Sequence, residues 1–180
     1  PLTLVEKDRL SLPDAWLGLK FAPSGNVFYV GGGSKSTVFE VAVTDAGKLE
    51  KRREFVIVAA DKRKHSDFIG DVTLSPDGRL IYAAALHRDS IFVINPQTGI
   101  VIEEWKTGHR PYRILFHPDG KSYYVTGWGD GYLYHHNAIN GEIIAKYAVG
   151  IQPMDMVWRG KAVKTEQDEE APGYVARLFV

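Results

Sequence analysis

Three charged residues recur at one position of the chain, and their types suggest that they bind a polar group. Asp71, Arg113 and Asp155 follow one another at intervals of 42 residues. Two carboxylates beside a guanidinium could hold a polar ligand, and carboxylate oxygens are also ligands that divalent cations accept. The same groups could instead form a structural chain of ion pairs, because charged groups near a protein core usually pair with each other. The sequence favours the ion-pair chain and leaves the ligand or metal site open.

The elements that carry these residues are copies of one unit, in which a strand pattern, a tight turn and a second strand pattern follow one another. The first turn occurs three times, as Ala22-Pro23-Ser24-Gly25, Ser75-Pro76-Asp77-Gly78 and His117-Pro118-Asp119-Gly120. The turn prolines lie 53 and 42 residues apart, and Asp71 and Arg113 each stand five residues before one of them. Asp155 takes the same place in a fourth copy. A period of about 40 to 45 residues with four short strands per unit is typical of β-propeller blades.

Short strings within the unit also resemble a known family. Tyr124-Val125-Thr126-Gly127 differs by one residue from the Tyr-Val-Thr-Asn string of the YVTN family of roughly 40-residue β-propeller repeats. The stretches 74–82 and 89–95 are similar to that family's strand-turn-strand and third-strand motifs. The resemblance covers nearly the whole chain and implies a propeller. It specifies function weakly, because such repeats occur in proteins with many roles.

The spacing predicts an all-β protein, a β-propeller segment of about three and a half four-stranded blades. The predicted blades span about residues 16–57, 68–106, 112–149 and, as a partial blade, 154–180. This chain alone is not expected to close the ring. Closure then requires the remainder of a longer propeller or another chain.

Composition excludes several classes of function. The chain has 22 basic and 22 acidic residues, so charge gives no reason to expect nucleic acid as a partner. It has no cysteine, which excludes disulfides and thiolate catalysis. It has no run of about 18 apolar residues, so no membrane span is predicted. The resemblance implies an extracytoplasmic location, periplasmic or secreted.

A pocket is predicted where the loops that enter the first strand of each unit meet the turns that follow the second strand. Both kinds of connection should reach one rim at the mouth of the central channel, where a concave site of this scaffold would lie. The candidate ligand-binding residues are Trp16, Asp67, Asp71, His109, Arg110, Tyr112, Arg113, Trp128, Asp130 and Asp155. No catalytic residue and no cofactor are predicted, and a divalent metal at the channel mouth is the alternative.

The favoured hypothesis is a non-catalytic scaffold that binds a protein or a small molecule. One alternative comes from the resemblance, because propellers of this family also precede a phosphoesterase-like domain, which would lie beyond Val180. The other alternative is a lactonase-like hydrolase with a metal site at the channel mouth. No Gly-x-Ser-x-Gly motif is present to suggest a serine nucleophile.

Overall fold

The polypeptide folds into small antiparallel sheets, as its short strand patterns and tight turns predict. The structure is a computed structural model that describes residues 4–163 and 173–179. Three four-stranded sheets follow one another along the chain, each with its strands in sequence order, and a two-stranded hairpin follows them. The expected all-β propeller segment is confirmed, and the described sheets do not close a ring. None of the described residues forms a helix that is long and apolar enough to cross a membrane.

The strands have the following bounds. The first sheet contains β1 (Leu19–Phe21), β2 (Val27–Gly31), β3 (Thr37–Val43) and β4 (Leu49–Val56). The second contains β5 (Ile69–Leu74), β6 (Ile81–Ala85), β7 (Ser90–Ile94) and β8 (Val101–Lys106). The third contains β9 (Pro111–Phe116), β10 (Ser122–Gly127), β11 (Tyr132–Asn137) and β12 (Ile143–Ala148). The hairpin consists of β13 (Val157–Val163) and β14 (Gly173–Phe179), and a short 3-10 turn, Ala60–Lys62, lies between the first two sheets.

The turn between the first two strands has the same geometry in all three sheets. Gly25, Gly78 and Gly120 have φ angles of +76°, +71° and +70°. Each donates its N–H to the carbonyl three residues earlier, at 2.8 to 2.9 Å. A positive φ is readily adopted only by a residue without a Cβ atom, so the repeated glycine fixes where each hairpin reverses.

The second sheet is covered on both faces. Phe92 and Ile94 pack in a cluster with the first sheet, whereas Ile91 and Val93 pack in a cluster with the third sheet. Successive residues of a strand point to opposite faces, so this alternation shows one strand serving two interfaces. The first strands of successive sheets lie side by side, β1 against β5 and β5 against β9. The outermost strand, β8, is largely exposed.

Glycine also permits close approach between sheets at the outer edge. Gly99, with a φ of +73°, has the Phe55 ring where a Cβ would lie, 2.7 Å from its nearest carbon. Gly141 stands 42 residues later, has a φ of +72° and meets the Trp105 ring in the same way. An aromatic side chain of one sheet therefore lies over the glycine turn of the next.

The two ends of the stack differ. Residues before β1 cover the free face of the first sheet, since Leu10 and Leu12 pack on its apolar cluster and Asp8 accepts the Leu49 N–H at 2.8 Å. On the third sheet, the outermost strand leaves Ile143 and Tyr147 about half exposed. Apolar side chains therefore stay partly exposed at that end of the stack.

Two buried tyrosines at the interface of the second and third sheets should respond oppositely to loss of the hydroxyl group. Tyr82 donates its hydroxyl to the Ala138 carbonyl at 3.1 Å, whereas the fully buried Tyr123 hydroxyl has no hydrogen-bond partner among the described residues. We expect Tyr123→Phe to raise the free energy of unfolding by about 1 kcal/mol and Tyr82→Phe to lower it by about 1 kcal/mol. Urea unfolding of both variants measures this. Equal losses would show that the Tyr123 hydroxyl is hydrogen-bonded.

Candidate functional site

Asp71 lies at the inner edge of the second sheet, on β5, and is almost completely buried. Its Oδ2 accepts the backbone N–H of Ile114, on β9, at 2.8 Å. Its Oδ1 lies 3.2 Å from Nη1 of Arg113. A single carboxylate therefore connects the first strands of two successive sheets.

Arg113 continues this connection to the next element. Its Nε lies 3.1 Å from Oδ1 of Asp155, which precedes β13, and its backbone N–H donates to Oγ1 of Thr126 at 3.0 Å. The structure thus brings Asp71, Arg113 and Asp155 together, as their spacing predicts, in a continuous ion-pair arc. Exposure rises along the arc, from 3% for the Asp71 side chain to 38% for Arg113 and 73% for Asp155.

Gly18 holds the corresponding position in the first sheet, and no side chain would fit there. Its N–H donates directly to the Gly70 carbonyl at 3.1 Å, and an added Cβ would lie 2.5 Å from the Val72 nitrogen. The arc therefore begins at the second sheet, because the first two sheets approach through their backbones.

The arc borders a cavity of about 270 Å³ at the channel mouth. The lining residues are Leu17, Gly70, Asp71, Tyr112, Arg113, Met154 and Asp155. Two apolar side chains, Leu17 and Met154, thus stand beside the three charged groups, which is the usual composition of a small-molecule site.

The electrostatics of Asp71 depend on a competition. Burial raises the pKa of its carboxyl to about 6, although Arg113 and the backbone N–H groups of Ile114 and Val72 favour the ionised form. The neighbouring Asp155 adds repulsion that also raises this pKa. The loss of hydration outweighs the ion pair, because among the described residues Arg113 is the one opposite charge beside Asp71 and is shared with Asp155.

Asp67 and Trp16 occupy separate places on the rim. Asp67 is buried, lies 2.6 Å from Nη2 and 2.8 Å from Nε of Arg88, and accepts the Lys64 N–H at 2.8 Å. Its carboxylate therefore holds the connection between β4 and β5 in place. Trp16 is 54% exposed and packs edge-on against Phe68, with ring centroids 5.5 Å apart.

The other predicted rim residues meet one another. The Arg110 guanidinium lies 5.5 Å from the centre of the Trp128 ring, and Trp128 stacks with Tyr112 at 6.5 Å between centroids. Asp130 accepts the His109 N–H at 2.9 Å. Arg110, Trp128 and Asp130 line an open groove of about 520 Å³, and the stacked Tyr112 joins that groove to the cavity of the arc.

Sequence reasoning missed Asp89, which contacts His109 and the backbone of Arg110. A signal was present, because Asp89 stands 42 residues before Gly131 and takes the same left-handed conformation, with a φ of +51° against +76°. Glycine adopts this conformation without strain, so the aspartate at position 89 is present at a cost in backbone strain.

Backbone strain distinguishes the two ends of the sheets. The turns on the far side of the molecule reach positive φ with glycine, whereas every described non-glycine residue with positive φ lies in a connection on the rim of the arc. These residues are Asp14, Ser36, Asp89, Arg110 and Gln152. Strained non-glycine residues concentrate at functional sites in proteins, so their positions make the rim the candidate functional side of the molecule.

Stacked four-stranded sheets with adjoining first strands define the protein as a β-propeller. Residues 18–127 match the family model described as Lactonase, 7-bladed beta-propeller. Since that match covers more than half of the chain, the chain belongs to this family. A comparison with curated proteins gives no match.

Solved structures share the fold at low identity. Kuenenia stuttgartiensis hydrazine synthase has a TM-score of 0.65 at 23% identity, over 82% of this chain and 40% of that chain. A Lactobacillus plantarum protein has a TM-score of 0.63 at 18% identity, over 74% of this chain and 41% of that one. The periplasmic gluconolactonase of Pseudomonas aeruginosa has a TM-score of 0.56 at 20% identity, over 88% of this chain and 49% of that chain. This chain thus spans less than half of these structures.

The raised pKa of Asp71 predicts an unusual pH dependence of stability. The folded protein binds the Asp71 proton more tightly than the unfolded chain does, so this group's contribution is greatest below its ordinary pKa of 3.8 and is lost as the pH rises to about 6. Asp71→Asn removes that dependence. We expect the unfolding free energy of the variant, relative to the unsubstituted protein, to rise by about 2 to 3 kcal/mol between about pH 4 and about pH 7.

Asp67→Asn should change the pH dependence of the unfolding free energy in the opposite direction. Burial alone would raise the pKa of Asp67, but hydrogen bonds from Arg88 and from the Lys64 N–H outweigh it and hold the pKa below its usual range. The relative stability of this variant should therefore fall as the pH rises. Urea titrations at several pH values measure both variants, and a fall for Asp71→Asn as well would show that pairing with Arg113 outweighs burial.

Proposed function

We propose that the protein is a hydrolase that opens cyclic carboxylic esters at the channel mouth. Membership of the lactonase propeller family supports this chemistry. The observation that carries the proposal is the arc itself, a guanidinium between a buried and an exposed carboxylate beside a cavity of about 270 Å³.

The arc supplies the groups that lactone hydrolysis requires. Arg113 donates a hydrogen bond from Nη1 to Asp71, and its Nε lies 3.1 Å from Asp155 Oδ1 in an ion pair. Among the described residues, its Nη2 has no hydrogen-bond partner. Nη2 can therefore donate to the carbonyl oxygen of a lactone and stabilise the negative charge that develops there. Leu17 and Met154 would contact the apolar part of the ring.

Asp155 is suited to activate water, because its carboxylate is largely exposed and lies beside Arg113. It accepts a proton from water as the water oxygen bonds to the carbonyl carbon. The bond between that carbon and the ring oxygen then breaks, and Asp155 returns the proton to the released alkoxide. Asp71 positions Arg113 and takes no part in proton transfer, because its oxygens are committed to Arg113 and to the Ile114 N–H.

This proposal departs from the favoured sequence hypothesis. The sequence alone favoured a non-catalytic scaffold, and family membership supports the lactonase-like alternative better. A scaffold of YVTN type stays the second candidate, because Arg113 bound by two carboxylates is also a structural ion-pair chain between sheets. A phosphoesterase-like domain beyond Val180 stays a prediction from resemblance.

A divalent metal does not fit this arrangement well. The Arg113 cation lies between the carboxylates of Asp71 and Asp155, where it would repel a metal ion that used both. The described residues also contain no group of three metal-binding side chains. The proposed step is therefore assigned to the side chains of the arc.

The surroundings of the site are also proposals. We propose that further sheets, from the same polypeptide or from another chain, cover the exposed end near Ile143 and Tyr147 and complete the channel. We also propose an extracytoplasmic location, with which the periplasmic neighbour is compatible. Cell fractionation with an antibody against the protein tests the location.

Substitution of Arg113 tests the hydrolase. Purified protein is assayed for ring opening of a panel of five- and six-membered lactones by pH-stat titration. We expect Arg113→Gln to lower kcat/KM by about a hundredfold or more, since one oxyanion donor contributes roughly that much. Arg79→Gln, an exposed arginine in a turn on the far side, should leave the rate unchanged.

Substitution of Asp155 separates the hydrolase from the scaffold. If Asp155 is the base, Asp155→Asn should lower kcat and change KM little. The free energy of unfolding should also change little, because exposed ion pairs contribute about 0 to 1 kcal/mol. Treatment with EDTA should leave turnover unchanged. Absence of lactone turnover by the protein, together with a large stability loss in both variants, would favour the structural scaffold.

A further inference from the structure

A second pair of titratable groups lies on the rim, outside the arc. Asp89 ends the turn between β6 and β7, and His109 lies in the connection between β8 and β9. Both Asp89 carboxylate oxygens are 3.2 Å from His109 Nδ1. An imidazole that donates its Nδ1–H to a carboxylate keeps a lone pair on Nε2, and that nitrogen can accept a proton.

Backbone contacts fix both members of the pair. The His109 N–H donates to Asp130 Oδ2 at 2.9 Å, and the His109 carbonyl accepts the Gly129 N–H at 3.0 Å. The Arg110 N–H donates to Asp89 Oδ1 at 2.9 Å. The imidazole and the carboxylate are therefore held relative to each other, as a base that acts in catalysis must be.

Two features of the local backbone favour the contact between Asp89 and His109. Asp89 adopts a φ of +51°, where glycine stands in the next copy, and this strain keeps the carboxylate beside His109. A Cβ at Gly129 would collide with the His109 ring, so this position leaves room for the imidazole. The strained backbone at Asp89 and the absence of a side chain at Gly129 therefore both allow the contact between Asp89 and His109.

The Asp89–His109 pair is open to solvent, and its carboxylate is held in the ionised form. The side chains of His109 and Asp89 are 54% and 44% exposed. Burial opposes ionisation of Asp89, but hydrogen bonds from the Arg110 N–H and from His109 outweigh it and hold the Asp89 pKa below its usual range. Among the described residues, Lys106, Asp130 and Tyr134 also bring charged or titratable groups to the pair.

We propose that Asp89 and His109 form a proton-accepting dyad, a second chemical site that activates water toward small, unhindered carboxylic esters. His109 Nε2 takes a proton from water while the water oxygen bonds to the carbonyl carbon. The bond to the leaving oxygen breaks, and the proton passes to that oxygen or to solvent. Asp89 keeps its charge, fixes the imidazole tautomer and stabilises the imidazolium. This site is independent of the lactone site proposed above.

Hydrolysis of p-nitrophenyl acetate by the purified protein tests the dyad. We expect His109→Gln to lower the protein-dependent rate about tenfold or more, because a positioned general base contributes at least that much. His87→Gln, an exposed histidine on the same rim, is the matched control and should keep the rate. A full rate in His109→Gln would overturn the proposal.

A spectroscopic readout separates chemistry from folding. Long-range nitrogen–proton NMR should show His109 in the Nδ1–H tautomer, and Asp89→Asn should abolish that preference and lower the rate as well. Asn is well tolerated at positive φ, so this variant should fold. Gly129→Ala should displace the ring and reduce the rate without altering either member of the dyad. An Nε2–H tautomer in the unsubstituted protein would contradict the dyad.

Discussion

The sheets of this protein have apolar faces, which are removed from water by packing against a neighbouring sheet or, at the first sheet, against the segment before β1. The second sheet is packed on both of its faces. Alternate residues of β7 pack against the first and the third sheets, and β5 to β7 are buried throughout. Burial of apolar surface contributes about 25 cal/mol per Å², so sheet-on-sheet contact is the dominant stabilising term. The stacking then forces the first strands of the sheets together at an inner edge.

The charged residues of the arc lie at this inner edge. Between the first and second sheets the backbones meet directly, through the Gly18 N–H and the Gly70 carbonyl at 3.1 Å. Between the second and third sheets a side chain takes over, because Asp71 accepts the Ile114 N–H. A carboxylate inserted between two strands leaves space beside it and needs a cation. Arg113 supplies that cation, and the cavity at the channel mouth lies where the direct backbone contact ends.

Spacing predicts the sheets and the arc because both depend on the repeat. The interval of 42 residues places Asp71 and Arg113 at equivalent points of the adjoining strands β5 and β9, whatever their chemistry. The same interval places Asp155 just before β13. The role of Asp67 was not predictable, because it lies in the longer connection between the first two sheets, where the repeat gives no register. The sequence hypothesis of a scaffold rested on the resemblance to a repeat family, which specifies the fold well and the function weakly.

Backbone strain is distributed unequally between the two ends of the sheets. On the far side, a glycine reaches positive φ in each described turn, at Gly25, Gly78 and Gly120 among others, at little steric cost. On the rim, Asp89 and Arg110 adopt the same conformation at a cost of roughly 1 kcal/mol or more each. Glycine would relieve that strain but would remove the carboxylate beside His109 and the guanidinium beside Trp128. The rim therefore retains, at a cost in backbone strain, the Asp89 carboxylate on which the proposed dyad depends.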